Sequence, residues 1–220
     1  MKKIFSFALV CVLALAANAQ IVSSSSRSIK TADAVYPNYN RIYVGYHPTT
    51  WEMDDVIGTD LDAAGYALGW TGGYSITKKA PLYLEAGLNL KYNSKSKNLG
   101  SYDGEAEFKA LCLSVPVSIS YKYDIPNVDG LSIAPYAGLH LNGNIIGEMK
   151  FKDYYYDKKL NVFDDDDVDD PANRIQFGYQ IGVGVNYKAL YLGVGYSSEF
   201  TEYMEDVNTG GMTLNLGLNF

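Results

Sequence analysis

Glu85, Lys91, Lys122 and His140, together with Arg41 and His47, are the side chains best placed to do chemistry, because each falls on the polar side of a segment whose other side is apolar. Carboxylates and amines along one bore would make an ion path, and a histidine near neutral pH serves as acid, base or metal ligand. Neither histidine has a second His or a Cys at ligand spacing, so hydrogen bonding in a crowded interior is the expected role. The charged residues are expected to pair rather than conduct, since charges removed from water need partners. Asp164, Asp165, Asp166, Asp167, Asp169 and Asp170 offer carboxylates to Ca²⁺, but the run lacks the glycine and alternating spacing of a calcium loop. It reads as a solvated acidic surface loop, and no cofactor or metal is expected. Tyr154, Tyr155 and Tyr156 add an aromatic patch to the same loop. His47, with Thr49 and Thr50 nearby, is the closest the chain comes to a base beside a hydroxyl nucleophile, and no Ser accompanies it on the outward face.

These residues are positioned by segments of strict alternation. Met212, Leu214, Leu216, Leu218 and Phe220 lie on one face of the last segment, with Thr213, Asn215, Gly217 and Asn219 on the other. A strand with one greasy face and one small polar face has a defined environment where lipid lies on one side and a polar lumen on the other. The pattern recurs with Leu82, Leu84, Ala86, Leu88, Leu90 and Tyr92, and with Leu111, Leu113, Val115, Val117, Ile119 and Tyr121. It appears again within 131–141, 175–187 and 190–197, and less cleanly within 41–47 and 65–76. Eight such segments predict an all-β, eight-stranded antiparallel up-and-down transmembrane β-barrel over 40–220.

The connections alternate in length. Those at 77–80, 124–130 and 188–189 are short, while 48–62, 94–107, 147–173 and 199–210 are long, which places both termini on the short-turn, periplasmic side. Of the 25 acidic residues, all but Asp33, Glu85, Asp124 and Asp129 fall in the long connections. Outward tyrosines gather near both ends of the strands, as two interfacial girdles require.

Lys2 and Lys3, an apolar run over 4–17 and Ala17-Asn18-Ala19 have the form of a signal peptide spanning 1–19, which leaves 20–39 as a flexible periplasmic segment. Cys11 lies within that leader, so the exported chain keeps one cysteine, Cys112, and no internal disulfide. A net charge of -7 argues against nucleic acid as a partner, and no apolar run after the leader is long enough for a membrane helix. A soluble lipocalin-like barrel would turn the apolar face inward. Its outer face would then be the one rich in Gly, Ser, Ala, Asn and Gln, which carries few of the Lys and Glu residues that solvate a surface strand.

The stretches LSVPVSISYKY at 113–123, LSIAPYAGL at 131–139 and FGYQIGVGV at 177–185 resemble the small outer-membrane β-barrel domain family abundant in Bacteroidota, related in architecture to the OmpX/OmpA-type barrels. The resemblance covers roughly 40–220 and implies fold and location rather than an activity. The family's strand prolines correspond to Pro116 and Pro135, where a missing N–H is expected to leave a bulge or a ladder gap. It also implies that Phe220, on the face with Leu214, Leu216 and Leu218, is an assembly signal read by the barrel-insertion machinery.

The expected function is that of a non-enzymatic, monomeric integral barrel among outer-membrane lipids and lipopolysaccharide, structural or presenting its acidic loops to a surface partner. The alternatives are an accessory subunit of a secretion or uptake assembly and a lipid-modifying enzyme. Because the last strand must close the cylinder, deleting Phe220 or extending the chain beyond it should lower the heat-modifiable, folded fraction recovered from outer membranes. Unchanged recovery would remove the role assigned to the terminal aromatic.

Overall fold

In the computed structural model the described residues are 36–53, 61–98, 105–153, 156–168 and 170–220. The leader expected at 1–19, most of the segment at 20–39, and Asp54, Asp55, Asp60, Asp103, Tyr154, Tyr155 and Asp169 lie outside them. The strands are β1 (Tyr39–Tyr46), β2 (Thr49–Met53), β3 (Leu61–Ser75), β4 (Leu82–Asn98), β5 (Glu105–Tyr121), β6 (Tyr123–Asp124), β7 (Leu131–Asp153), β8 (Tyr156–Asn161), β9 (Ile175–Tyr187), β10 (Leu190–Glu199) and β11 (Val207–Asn219).

Three of these segments are not separate staves. β2 pairs with β11 and β3, the same two neighbours as β1, so it continues β1 past the break at Pro48, which has no N–H to donate. β6 continues β5 in pairing with β7, and β8 folds back along the outer part of β7. Eight antiparallel staves therefore form the ring β1-β3-β4-β5-β7-β9-β10-β11, which closes through β1 and β11. Asn40 and Phe220 exchange both backbone hydrogen bonds at the seam, each 2.8 Å long.

Alternation sets the two faces as expected for a membrane barrel. On β4 the side chains of Tyr83, Glu85, Asn89 and Asn93 are buried inside, while Leu84, Leu90 and Tyr92 are exposed outside. Ile42, Val44, Leu68, Val117, Ile119, Ile181, Leu192, Leu214, Leu216 and Leu218 share that outer surface. The interior is polar and the exterior apolar, the reverse of a lipocalin.

The prolines interrupt pairing where expected. Between β4 and β5 the ladder steps from Ala86↔Val117 to Asn89↔Ser114, a gap that contains Pro116. Pro135 pairs with Val183 on β9 but lies just past the last β5 partner of β7, Ser120↔Tyr136. A bulge that the alternation did not announce sits where Leu111↔Ile146 is followed by Cys112↔Asn144. It leaves Ile145 as the extra residue, so that Ile145 and Ile146 are both exposed and the inside-outside phase of β7 inverts beyond them.

The long connections are shorter than the sequence pattern indicated. β4 runs to Asn98 and β5 begins at Glu105, so strand occupies most of 94–107, and β7 with β8 forms a hairpin inside 147–173. The reason is solvent. Beyond the bilayer the outward face meets water, so Ser94, Ser96, Glu105, Glu107 and Lys109 replace apolar residues although the backbone ladder continues. Placing arginine at Leu84 or Ile181 should cost about 2–4 kcal/mol near the midplane, read by urea titration in lipid vesicles, whereas Ser118→Ala should stay within about 1 kcal/mol. Equal costs at both kinds of site would contradict this orientation.

Candidate functional site

The lumen is built in layers from inward residues of neighbouring strands. Nearest the short-turn end, Arg41 on β1 and Glu85 on β4 approach to 3.7 Å. Glu85 also accepts hydrogen bonds from Tyr39 Oη and, at 2.7 Å, from Ser120 Oγ. The Arg41 guanidinium lies 3.5 Å from the centroid of the Tyr191 ring and donates through Nε to Asn219 Oδ1 at 2.9 Å. Asn219 passes the network on, donating to Asn186 Oδ1 at 2.9 Å, and Asn186 donates to Ser132 Oγ at 3.2 Å.

Glycines make room for the middle layer. A Cβ on Gly69 would meet Tyr43 Cζ at 2.2 Å, and one on Gly182 would meet Tyr136 Oη at 2.5 Å. Tyrosine rings cover these glycine faces. Among the described residues a cavity of about 50 Å³ is bordered by Arg41, Tyr43, Lys91 and Tyr136, room for a few waters.

Toward the long-loop end, Glu199 is the hub. Its Oε1 accepts from Asn142 Nδ2 at 2.6 Å and His140 Nε2 at 3.2 Å, and its Oε2 accepts from Thr209 Oγ1 at 2.9 Å. Gln176 Nε2 donates to Thr209 Oγ1 at 3.2 Å, and His47 Nε2 meets Asn215 Oδ1 at 2.8 Å. Lys91 is half-buried beside both this layer and the one below.

Above these polar layers sits an element the alternation gave no sign of. Trp51, Ala63, Phe108, Ala110, Val162, Ala172 and Tyr203 form a buried apolar cluster, with Met149 and Phe163 packed against it. Trp51 meets Phe108 edge-on at 4.9 Å between centroids, and Arg174 lies 4.5 Å from the Phe163 ring centroid. Backbone bonds tie the segments together: Ala172 N to Val162 O at 2.7 Å and Asn173 N to Tyr203 O at 2.6 Å. Burial pushes the Tyr203 phenol well above its ordinary pKa, so it stays neutral. Between cluster and network lies a second cavity of about 50 Å³, bordered by Trp51, Asn142 and Tyr203, each with a polar atom that has no protein partner.

The sequence-selected residues are thus divided. Glu85 and His140 lie in separate layers: of the three inward cations the sequence offered Glu85, Arg41 meets it rather than Lys91 or Lys122, and His140 is served by Glu199, which the sequence did not single out. Glu199 had counted as a loop acid. It ends β10 with its side chain inside, and continued alternation from Tyr191 through Gly193, Gly195 and Ser197 was the available signal. Lys122 stands apart, half-buried at the break between β5 and β6, and makes no ion pair among the described residues. Leu214, Leu216, Leu218 and Phe220 all face outward on the closing strand. Thr50 Oγ1 donates to Asp62 Oδ1 at 2.7 Å and Thr49 Oγ1 to Asn93 Oδ1 at 3.3 Å, so neither hydroxyl is held against the His47 ring.

In the acidic loop, Asp164, Asp165, Asp166 and Asp170 are exposed. Asp167 Oδ2 accepts from Asn161 N at 2.8 Å and Asp164 Oδ1 from Asp166 N at 3.2 Å, which makes these carboxylates turn-forming groups. Among the described residues no three His, Cys, Asp or Glu side chains converge as a metal site.

Residues 6–220 match the family model for the outer membrane protein beta-barrel domain. The chain belongs to that family. It is an integral outer-membrane β-barrel, set among the lipid and lipopolysaccharide of that membrane. No curated protein matches it in sequence. Among solved structures it is similar to Ail, the attachment invasion locus protein of Yersinia pestis, crystallised with the heparin analogue sucrose octasulfate: 15% identity, TM-score 0.52, covering 83% of this chain and 99% of that one. Neisserial surface protein A is 16% identical with TM-score 0.43, covering 83% and 97%. The outer-membrane enzyme PagL is 13% identical with TM-score 0.46, covering 82% and 98%. At these identities the likeness to Ail shows the fold.

Arg41→Ala in this barrel should destabilise by about 3–5 kcal/mol, because it strands Glu85 in a closed interior. Arg41→Ala/Glu85→Ala should cost less than the sum of the two single changes, and urea unfolding in vesicles measures that difference. Additive effects would show that the two charges are not coupled.

Proposed function

We propose that this barrel is a non-enzymatic, non-conducting anchor that holds a folded platform outside the cell and presents acidic loops there to a surface partner. The observation that carries this reading is the apolar cluster around Trp51, Phe108, Val162 and Tyr203, which fixes segments from three long connections and the outer end of β5 into one packed unit over the barrel mouth. Loops that served only to join strands would have no need of a core. The exposed rim of that unit carries Asp164, Asp165, Asp166, Asp170, Glu202 and Glu205, a surface suited to a cationic partner.

Lumen packing supports the absence of conduction, because an eight-stranded bore is narrow enough for side chains to fill and tyrosine rings occupy the space that glycines leave here. The non-enzymatic reading draws support from His140. Its carboxylate partner among the described residues is Glu199, both side chains are buried at 0% and 8% exposure, and the hydroxyl beside the pair, Thr209 Oγ1, is engaged in donating to Glu199. Short turns at 77–80, 124–130 and 188–189 favour the ordinary orientation, with both termini periplasmic and the long-loop end outside. In this reading the protein is a monomer whose leader at 1–19 is removed, whose segment at 20–39 stays in the periplasm, and whose closing strand, Leu214 to Phe220, engages the insertion machinery.

Purified protein in planar bilayers should give no stable porin-sized current, and proteoliposomes should not swell in sugar solutions. A reproducible large conductance would overturn the reading. Trp51→Ala and Phe108→Ala should each loosen the platform by about 3–5 kcal/mol locally, seen as faster protease cleavage of the long-loop end on intact cells while the barrel stays heat-modifiable. Cleavage no faster than in the parent protein would show that the cluster does not hold the loops.

A further inference from the structure

The cavity beneath the apolar cluster is bordered by opposite charges that do not meet. Lys91 and Glu199 both line it without pairing with each other, and Lys91 makes no ion pair among the described residues. Glu199 is held by three other donors, Asn142, His140 and Thr209. A cation and a carboxylate that share a buried space are expected to close on each other or to have something between them.

The polar atoms left without a protein partner around this cavity are sorted by side. They are Trp51 Nε1, Tyr203 Oη and Asn142 Oδ1, on residues only 4%, 3% and 4% exposed. Trp51 Nε1 only donates, and with Lys91 it belongs to the arc β2-β3-β4 of the ring. Asn142 Oδ1 only accepts, and with Glu199 it belongs to the arc β7-β9-β10 across the bore. Tyr203 Oη, from the connection between β10 and β11, does either. Of the unpaired groups, one wall therefore offers a donor and positive charge, and the opposite wall an acceptor and negative charge.

We propose that this cavity binds a small zwitterion, a free amino acid of the size of glycine or alanine, with its carboxylate toward Lys91 and Trp51 and its ammonium toward Asn142 and Glu199. The room fits, since a space that holds a few waters holds a solute of roughly five or six heavy atoms. Charge balance fits as well: a zwitterion leaves the sum of Lys91 and Glu199 unchanged, whereas a simple anion or cation would add an unmatched charge to a buried site. Water meets the orphaned atoms one at a time but has no polarity of its own that matches the two walls. The apolar cluster roofs the site, so the ligand enters while the barrel folds or when the connections bearing Val162 and Tyr203 open locally.

The test uses the full-length barrel refolded in detergent in the presence of radiolabelled glycine, alanine, acetate or methylammonium and then brought to equilibrium dialysis against the same solute. Heat-modifiability is the folding check for every variant. The parent protein should bind glycine or alanine at least tenfold more tightly than acetate or methylammonium. Lys91→Met should abolish that binding, and Tyr203→Phe, which keeps the ring and removes only the orphaned hydroxyl, should weaken it at least threefold. Lys150→Gln, on the outer face of β7, should leave it unchanged. In a Trp70→Phe background, where Trp51 is the sole tryptophan, glycine should also shift the fluorescence spectrum. Acetate bound as tightly as glycine, or glycine binding that survives Lys91→Met, would overturn the proposal. So would the absence of bound amino acid together with an unchanged Trp51 spectrum, which would leave a cavity filled by water alone.

Discussion

Every other feature of this molecule depends on one constraint: in hydrocarbon no water is available for backbone N–H and C=O groups, so the sheet must have no open edge. The seam between β1 and β11, sealed by the reciprocal Asn40 and Phe220 bonds, meets it. Closure with eight staves fixes the bore, and a bore of that width must be filled by side chains. Filling it from strands whose inward residues are polar then obliges those residues to find one another.

The interior solves that obligation in two ways. Where charges enter, they are surrounded: Glu85 by Arg41, Tyr39 and Ser120, and Glu199 by Asn142, His140 and Thr209. Where rings enter, glycines on facing strands give way, as Gly69 does to Tyr43 and Gly182 to Tyr136. A methyl group at either glycine would meet the ring inside van der Waals contact, so the tyrosine and glycine content of the chain is one packing solution rather than two compositional facts.

Outside the membrane band the same strands change partners. The outward face turns charged because it meets water and headgroups, and the inward face turns apolar because several connections converge there with no lipid to cover them. Trp51, Val162 and Tyr203 come from different connections, Phe108 from the outer end of β5, and they bury one another over the barrel mouth. The barrel family and the likeness to Ail account for the cylinder; this platform and its charged outer face are where a role particular to this chain would reside.

The alternation of Leu82 to Tyr92, of Leu111 to Tyr121 and of Met212 to Phe220 determined the barrel, its strand number and which side of each strand meets lipid, because in a two-sided strand the chemistry of each face names its solvent. The ladder gaps at Pro116 and Pro135 were equally legible, since proline carries its missing donor wherever it stands. Pairing was not. Alternation shows that Glu85 points inward but not that Arg41 rather than Lys91 meets it, because the partner depends on the stagger between strands far apart in sequence. Glu199 was hidden by its place at the edge of an acid-rich connection, the bulge at Ile145 by the absence of any local residue that demands it, and the apolar cluster by the scatter of its members over three connections and the outer ends of β3 and β5. A strand's period is a local property that the sequence carries in full, whereas the partner of a side chain in a closed ring is set by register and closure, which exist only once the cylinder has formed.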